Sequence, residues 1–380
     1  MAGIYIHIPF CKKACHYCDF HFSTSLQYKQ EILEAIGKEI KLQKNYLGQQ
    51  IINTIYIGGG TPSVLSGSDL SKIIASIQEN FNLAPDAEIT IEANPDDLNN
   101  QKIKEIKQTA INRFSIGVQS FFDNDLKWMN RAHQATEAEA AIKRAQDNGF
   151  TNINIDLIYG FPLLSQQKWE TNLQKAINYQ VPHISAYALT VEPKTALAAF
   201  INTQKQAPIN DEQSTKHFLI SMDTLCQAGY KHYEISNFSL LGMQSRHNTN
   251  YWKGVHYLGI GPSAHSYNGY SRQWNLANNV GYLSALAKHQ IPHTIEQLTT
   301  ENLINEFIMI NLRTHRGINL DTIGATFGTH VIQHILNQAQ VPLDKGLIQI
   351  NNNTITLSRT GKLYADAIAA DLFVEENFKR

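Results

Sequence analysis

Ile4, Ile6 and Ile8 alternate with Tyr5 and His7, a period of two that predicts a strand ended by Pro9. From 26 to 47 the apolar Ile32, Leu33, Ile36 and Ile40 fall at helical spacing, and 54–57 predicts a second strand running into Gly58, Gly59 and Gly60. The alternation then repeats. Helices are predicted over 68–81, 99–108, 135–148 and 166–178, and strands over 88–93, 113–117, 152–157 and 183–189. Strands alternating with helices through short links require right-handed crossovers and a parallel sheet, so the fold class is α/β, an open or closed β/α barrel of which six strands, not eight, are visible.

One more helix is predicted over 211–228, with Phe218, Met222, Leu225 and Cys226 on one face and Gly229 as its stop, so Cys226 is expected in the core. Periodicity fades between 230 and 298, where Gly, Asn, His and Tyr accumulate. That stretch is long for a passive connection and is a candidate for lining a site. From 299 the pattern gives helices over 299–313, 320–327 and 330–340, a hairpin of 347–350 and 354–357, and a helix from 358 onward. The chain thus divides into a barrel at 1–229, a connecting region at 230–298 and a winged-helix-like C-terminal domain at 299–380.

Composition narrows the function classes. With 43% hydrophobic and 17% charged residues the 380-residue chain is globular, and a formal charge of −1 supplies no basic field for nucleic acid. The C-terminal domain holds seven basic and eight acidic residues, so its winged-helix pattern does not imply DNA binding. No apolar run reaches the ~18 residues of a membrane span, and the first residues lack the charged start and apolar core of a signal peptide. A cytoplasmic protein is expected.

Three of the four cysteines are packed into Cys11-Lys12-Lys13-Ala14-Cys15-His16-Tyr17-Cys18. At this cysteine frequency the chance of both offsets is about 10⁻⁴, and the spacing is not that of a secreted disulfide framework. Three thiolates in one loop can hold three corners of a 4Fe-4S cube and leave the fourth iron open. A zinc site would draw its fourth ligand from His16 or His21, but such sites usually pair C-x2-C knuckles.

This loop resembles that of the radical S-adenosylmethionine (SAM) superfamily, whose signature is C-x3-C-x-aromatic-C after the first strand of a partial β/α barrel, so the resemblance implies a partial (β/α)6 barrel here. The resemblance implies that Cys11, Cys15 and Cys18 ligate a 4Fe-4S cluster and that the amino and carboxylate groups of SAM chelate the open iron, with Tyr17 against the adenine. Gly58-Gly59-Gly60-Thr61-Pro62 matches the family's glycine motif. The resemblance sharpens toward the oxygen-independent coproporphyrinogen III oxidase group through 5–11, 117–121 and 154–162. Carried over by position, Tyr5, Gly59, Gly60, Thr61, Glu92, Gln119, Arg131 and Asp156 are implied SAM contacts: Arg131 for the carboxylate, Glu92 for the amino group, Gln119 or Asp156 for the ribose. Read singly, Asp156 could instead cap a helix and Arg131 could form a surface ion pair.

Two departures from that group matter. Its oxidases carry a further cysteine two residues after the third, where this chain has Phe20, and they have an N-terminal extension, whereas Cys11 here is only ten residues from Met1. Both features are similar to shorter heme-chaperone relatives. In those, the segment Arg246-His247-Asn248-Thr249-Asn250-Tyr251-Trp252 is associated with heme, which implies His247 as an axial ligand and Tyr251 and Trp252 as porphyrin contacts. Barrel-to-domain packing is the alternative role for those aromatic residues. The implied function is a heme chaperone that passes heme to an apo-hemoprotein, with oxidative decarboxylation of coproporphyrinogen III as the alternative. A membrane-bound acceptor would bring peripheral membrane contact, although no basic amphipathic helix supports one.

Overall fold

The computed structural model describes residues 1–375 and 378. Six parallel strands, β1 (Ala2–Ile8), β2 (Ile52–Gly59), β3 (Leu83–Ala93), β4 (Arg113–Gln119), β5 (Ile153–Tyr159) and β6 (His183–Ala188), lie in sequence order. They are joined by α1 (Lys29–Leu42), α2 (Gly67–Asn80), α3 (Asn100–Lys107), α4 (Asp123–Trp128), α5 (Ala135–Asp147) and α6 (Gln166–Asn178). The expected partial barrel is therefore present. α4 has no counterpart in the sequence prediction, nor has α7 (Ala196–Asn202), which precedes α8 (Asp211–Gln227). Both are too short for a periodic signal to emerge.

The strands are apolar on one face and polar on the other. Ile91, Phe114 and Ile153 stand side by side in the ladder and are buried in the core cluster. The next layer across the same strands is Glu92, Ser115, Asn154 and His183. Because successive side chains point to opposite faces, the apolar set packs on the helices and the polar set fills the barrel interior. This is unlike an ordinary parallel sheet, whose strands are apolar on both faces.

The 230–298 region extends this sheet at both edges. β7 (Lys231–Glu234) and β8 (Asn237–Ser239) add antiparallel strands beside β6. After α9 (Arg246–Trp252), β9 (Tyr257–Ile260) pairs parallel with β1, and β10 (His265–Tyr267), β11 (Ser271–Asn275), α10 (Asn279–Ala287) and β12 (His293–Gln297) follow, the strands continuing as an antiparallel ribbon. A Cβ at Gly259 would lie 2.1 Å from the His265 carbonyl oxygen, so only glycine lets the ribbon fold this tightly. Glu39 of α1 fastens the added edge: its buried carboxylate accepts hydrogen bonds from Gly261 N (2.8 Å), Asn275 Nδ2 (2.6 Å) and Tyr282 Oη (2.6 Å).

The C-terminal region runs α11 (Thr300–Leu312), β13 (Ile318–Asn319), α12 (Leu320–Phe327), α13 (Thr329–Asp344), β14 (Ile348–Asn351), β15 (Thr354–Leu357) and α14 (Ala365–Asp371), the winged-helix order, around its own core. Backbone bonds from Ile235 N to Arg313 O (3.1 Å) and His315 N to Tyr233 O (3.0 Å) stitch it to the β7 edge.

One core assignment is corrected. Cys226 is exposed, not buried, because the inward face of α8 is set by Phe218, Met222 and Leu225, and the residue after Leu225 is turned about 100° away. No helix among the described residues is long and apolar enough to cross a membrane.

Glu39→Ala would strand three buried donors, each costing about 1–3 kcal/mol. The expected outcome is a melting temperature lower by several degrees, with faster amide exchange at Gly261 than in the wild type; unchanged exchange there would show that Glu39 does not fasten this edge.

Candidate functional site

The cysteine loop is zipped shut at its base: Cys11 N donates to Ser23 O (3.0 Å) and Ser23 N to Pro9 O (2.9 Å). The glycine run packs beneath it, with Gly60 N donating to Ile8 O (2.9 Å), Thr61 N to Phe10 O (2.7 Å) and Thr61 Oγ1 to Cys11 Sγ (3.5 Å). A Cβ on Gly60 would lie 2.6 Å from Phe10 O, and one on Gly59, whose φ is +104°, equally close to the His7 ring. Gly60 is thus needed for two backbones to touch, and Gly59 for the turn to pass the His7 ring. The middle of the loop rests on the two unforeseen helices, through His16 N to Met129 O (3.1 Å), Asn130 Nδ2 to Ala14 O (2.7 Å) and Leu197 N to His16 O (2.8 Å).

Below the loop lies a cavity of about 430 Å³ at the C-terminal ends of the strands. Cys11, Cys15, Cys18 and Tyr17 line it on the loop side, and Gly59, Gly60 and Thr61 on the β2 side. Glu92, Gln119, Arg131 and Asp156 complete the wall. Tyr5 does not reach the cavity; its hydroxyl bonds His7 Nδ1 (3.2 Å) and its ring stacks behind Tyr56. Asn94, Tyr56 and Ser115 also line it. They stand on or just past the strands that carry the foreseen residues: Asn94 follows Glu92 by one alternation step, Ser115 pairs with Glu92 across the ladder, and Tyr56 lies on β2 ahead of the glycines.

The wall is charged but incompletely paired. Glu92 accepts hydrogen bonds from Tyr56 Oη (2.8 Å) and Gly59 N (3.1 Å) yet has no cationic partner among the described residues; burial, with repulsion from Asp156, lifts its pKa to about 7. Arg131 donates to Asn94 Oδ1 (2.6 Å), Gly117 O (2.9 Å) and Cys15 Sγ (3.4 Å), while its buried Nε has no partner among the described residues. It forms no surface ion pair. Asp156 caps no helix; it accepts from Asn154 Nδ2 (2.8 Å) and Ser115 Oγ (3.3 Å), and burial raises its pKa. Gln119 ends β4 at φ +64°, a strained conformation for a residue with a side chain. Burial also raises the thiols of Cys11 and Cys18, the latter to about 12.

These residues fit an amphoteric ligand beside a cationic cluster. An ammonium group would neutralise Glu92, a carboxylate would take the unpartnered edge of Arg131, and bound iron would hold the three sulfurs as thiolates. The two histidines near the loop each have one ring nitrogen bonded elsewhere, His16 Nδ1 to Trp128 O and His21 Nε2 to Asn279 Oδ1, both at 2.8 Å. Among the described residues no group of three His, Cys, Asp or Glu side chains closes on a single metal ion.

His247 lies outside the wall of this cavity. The residue is buried under the barrel floor, with Nδ1 bonded to Thr54 Oγ1 (2.8 Å), Nε2 to Tyr251 Oη (2.9 Å), and its ring stacked on Tyr56. Burial pushes its pKa down to about 3. Neither nitrogen is presented to a ligand. Tyr251 packs edge-on against Tyr257, and Trp252 lies under the Arg313 guanidinium of the C-terminal region. Helix α9 therefore plugs the barrel, its first amides donating to Glu88 (3.1 and 3.0 Å).

Two outcomes follow from these environments. A folded pKa of about 7 for Glu92, above its ordinary 4.5, means a stability contribution complete below pH 4.5 and lost as pH rises through 7. Glu92→Gln should raise the melting temperature at pH 8, converge on wild type near pH 4, and weaken SAM binding at least tenfold; no pH-dependent difference would contradict the buried carboxylate. His247→Ala should lower stability by about 2–4 kcal/mol in a urea titration, from the lost ring packing and two stranded hydroxyl partners, while leaving reconstituted iron unchanged.

Comparison with known proteins places this geometry in a family. The Radical SAM superfamily profile matches residues 5–176 and the HemN C-terminal domain profile residues 298–364. The chain is similar in fold to coproporphyrinogen III oxidase (HemN) from Escherichia coli, a radical SAM enzyme, at TM-score 0.85 and 22% identity over 98% of this chain and 90% of the other. It is 34% identical to heme chaperone HemW of Mycobacterium tuberculosis over 375 residues, covering 97% of this chain and 94% of that one. To the HemW proteins of Bacillus subtilis (97% and 98% covered) and Escherichia coli K12 (69% of each) it is 34% and 37% identical. At this identity along nearly the whole chain, the protein belongs to the HemW heme-chaperone family of radical SAM proteins.

Proposed function

We propose that this chain binds a 4Fe-4S cluster through Cys11, Cys15 and Cys18, holds SAM in the cavity beneath it, binds heme, and passes that heme to an apo-hemoprotein. The observation that carries the reading is the meeting of three cysteines, an acid without a cation (Glu92) and a guanidinium without an acid (Arg131) around one cavity. Bound there, the cluster supplies an open iron and an electron to SAM. Arg131 orients the carboxylate end, Glu92 accepts hydrogen bonds from the amino group, Asp156 and Gln119 face the ribose, and Tyr17 packs against the adenine.

Two facts favour heme transfer over decarboxylation. Relatives that align along nearly the whole chain are named heme chaperones, whereas likeness to the oxidase, at 22% identity, is one of fold. Phe20, 67% exposed at the cavity mouth, also stands where the oxidases carry their additional cysteine.

The test is anaerobic reconstitution followed by two assays on one preparation, hemin titration by absorbance and coproporphyrinogen turnover with SAM and a reductant. Stoichiometric hemin binding without protoporphyrinogen formation is expected; turnover without hemin binding would favour the oxidase. Cys15→Ala should lose most of the reconstituted iron and sulfide, and full retention would remove it as a ligand.

A further inference from the structure

Tyr56 is shared by two parts of the molecule: its hydroxyl donates to Glu92 in the cavity wall (2.8 Å), and its ring stacks on His247 of α9 (5.1 Å between centroids, 29° between planes). We propose that Tyr56 and, behind it, His247 are positioning residues that aim the Glu92 carboxylate at the amino group of SAM; this deepens the SAM-binding part of the reading above and rests on it.

Glu92 depends on Tyr56 for its direction. One carboxylate oxygen takes the Tyr56 hydroxyl and the other the Gly59 amide (3.1 Å). That amide is fixed in the main chain. The hydroxyl sits at the tip of a ring, so the carboxylate is only as well aimed as the ring is held. Gly58 lets the two side chains meet, since a Cβ there would lie 2.8 Å from the Tyr56 ring and 2.9 Å from the Glu92 carboxyl carbon. An ionised carboxylate offers about four acceptor sites, so these bonds leave room for an ammonium group.

The ring is in turn held from α9. His247 bonds Thr54 Oγ1 through Nδ1 (2.8 Å) and Tyr251 Oη through Nε2 (2.9 Å), and its backbone amide donates to Glu88 (3.0 Å). Thr54 and Tyr56 share one face of β2, and Glu88 and Glu92 share one face of β3. The helix is therefore docked on the same strand faces that carry the bond from Tyr56 to Glu92. Gly3 of β1 leaves space for the imidazole, as a Cβ there would lie 3.3 Å from His247 Cε1. Asn248, the next residue of α9, lines the cavity itself. This role depends on the imidazole as a surface for Tyr56, not on what its nitrogens bind, so it stands beside the axial role that the family resemblance implies.

The test is equilibrium dialysis at pH 8, above the Glu92 pKa of about 7, of reconstituted wild type, Tyr56→Phe, His247→Ala and His247→Phe. Two labelled ligands are compared: SAM, and 5′-methylthioadenosine, which has the nucleoside but no amino group. Iron and sulfide content shows that each variant keeps its cluster. Tyr56→Phe should bind SAM about fivefold more weakly and His247→Ala about threefold, with methylthioadenosine affinity unchanged in both. His247→Phe, which keeps a flat ring against Tyr56, should bind SAM within about twofold of wild type. Wild-type SAM affinity in Tyr56→Phe would overturn the proposal, and wild-type affinity in His247→Ala would remove His247 from it. A loss in His247→Phe would overturn the stacking role. An equal loss for both ligands would also overturn the proposal, because a distorted cavity and not a misdirected Glu92 would be the cause. Tyr56→Phe and His247→Phe keep their rings, so the test holds even if His247→Ala does not fold. Absence of SAM binding by wild type would overturn the SAM reading itself.

Discussion

The constraint on which this molecule depends is the polar lining of its own barrel. Burying Glu92, Asp156, Arg113, Asn154 and His183 on the inner face forgoes the hydrophobic gain that an apolar interior would give, and it leaves charges partly unpaired. The apolar outer faces of the strands, packed on the helices, supply the stability that this interior does not. The cavity inherits a set of fixed donors and acceptors at the strand ends, where a ligand of matching charge is stabilised without reorganising the protein.

The two ends of the barrel solve different problems. At the upper end, Gly60 allows the β2 turn to touch the backbone leading into Cys11, so the position of the first sulfur is set by main-chain hydrogen bonds rather than by a flexible loop. At the lower end, α9 closes the barrel, with Glu88 capping its first amides and His247 wedged between Thr54 and Tyr56. Tyr56 joins the two, stacked on His247 below and donating to Glu92 above. The His247 segment thus bears on the site from beneath, by packing.

Local pattern made much of this legible. The six barrel strands and their helices follow from periodicities of two and 3.6, and the cysteine loop from spacing alone. The strand-end residues Glu92, Gln119 and Asp156 came instead from family resemblance. What local pattern could not reveal was pairing across long sequence distances: β9 is four residues long and meets β1 some 250 residues away, so nothing near Tyr257 announces a strand. The same limit hid the fate of His247, whose segment carries heme-suited residue types but whose burial is decided by Thr54 and Glu88, residues distant in the chain. Cys226 shows the opposite failure, a helical face read one position too wide.

The most direct test of the central claim, that the cavity wall presents SAM to an open iron of the cluster, is electron paramagnetic resonance of the reconstituted, dithionite-reduced protein before and after SAM is added. The account predicts a reduced 4Fe-4S signal whose g-values shift on addition of SAM, with hyperfine coupling to SAM labelled at its amino nitrogen. A cluster signal that SAM leaves unchanged would contradict it.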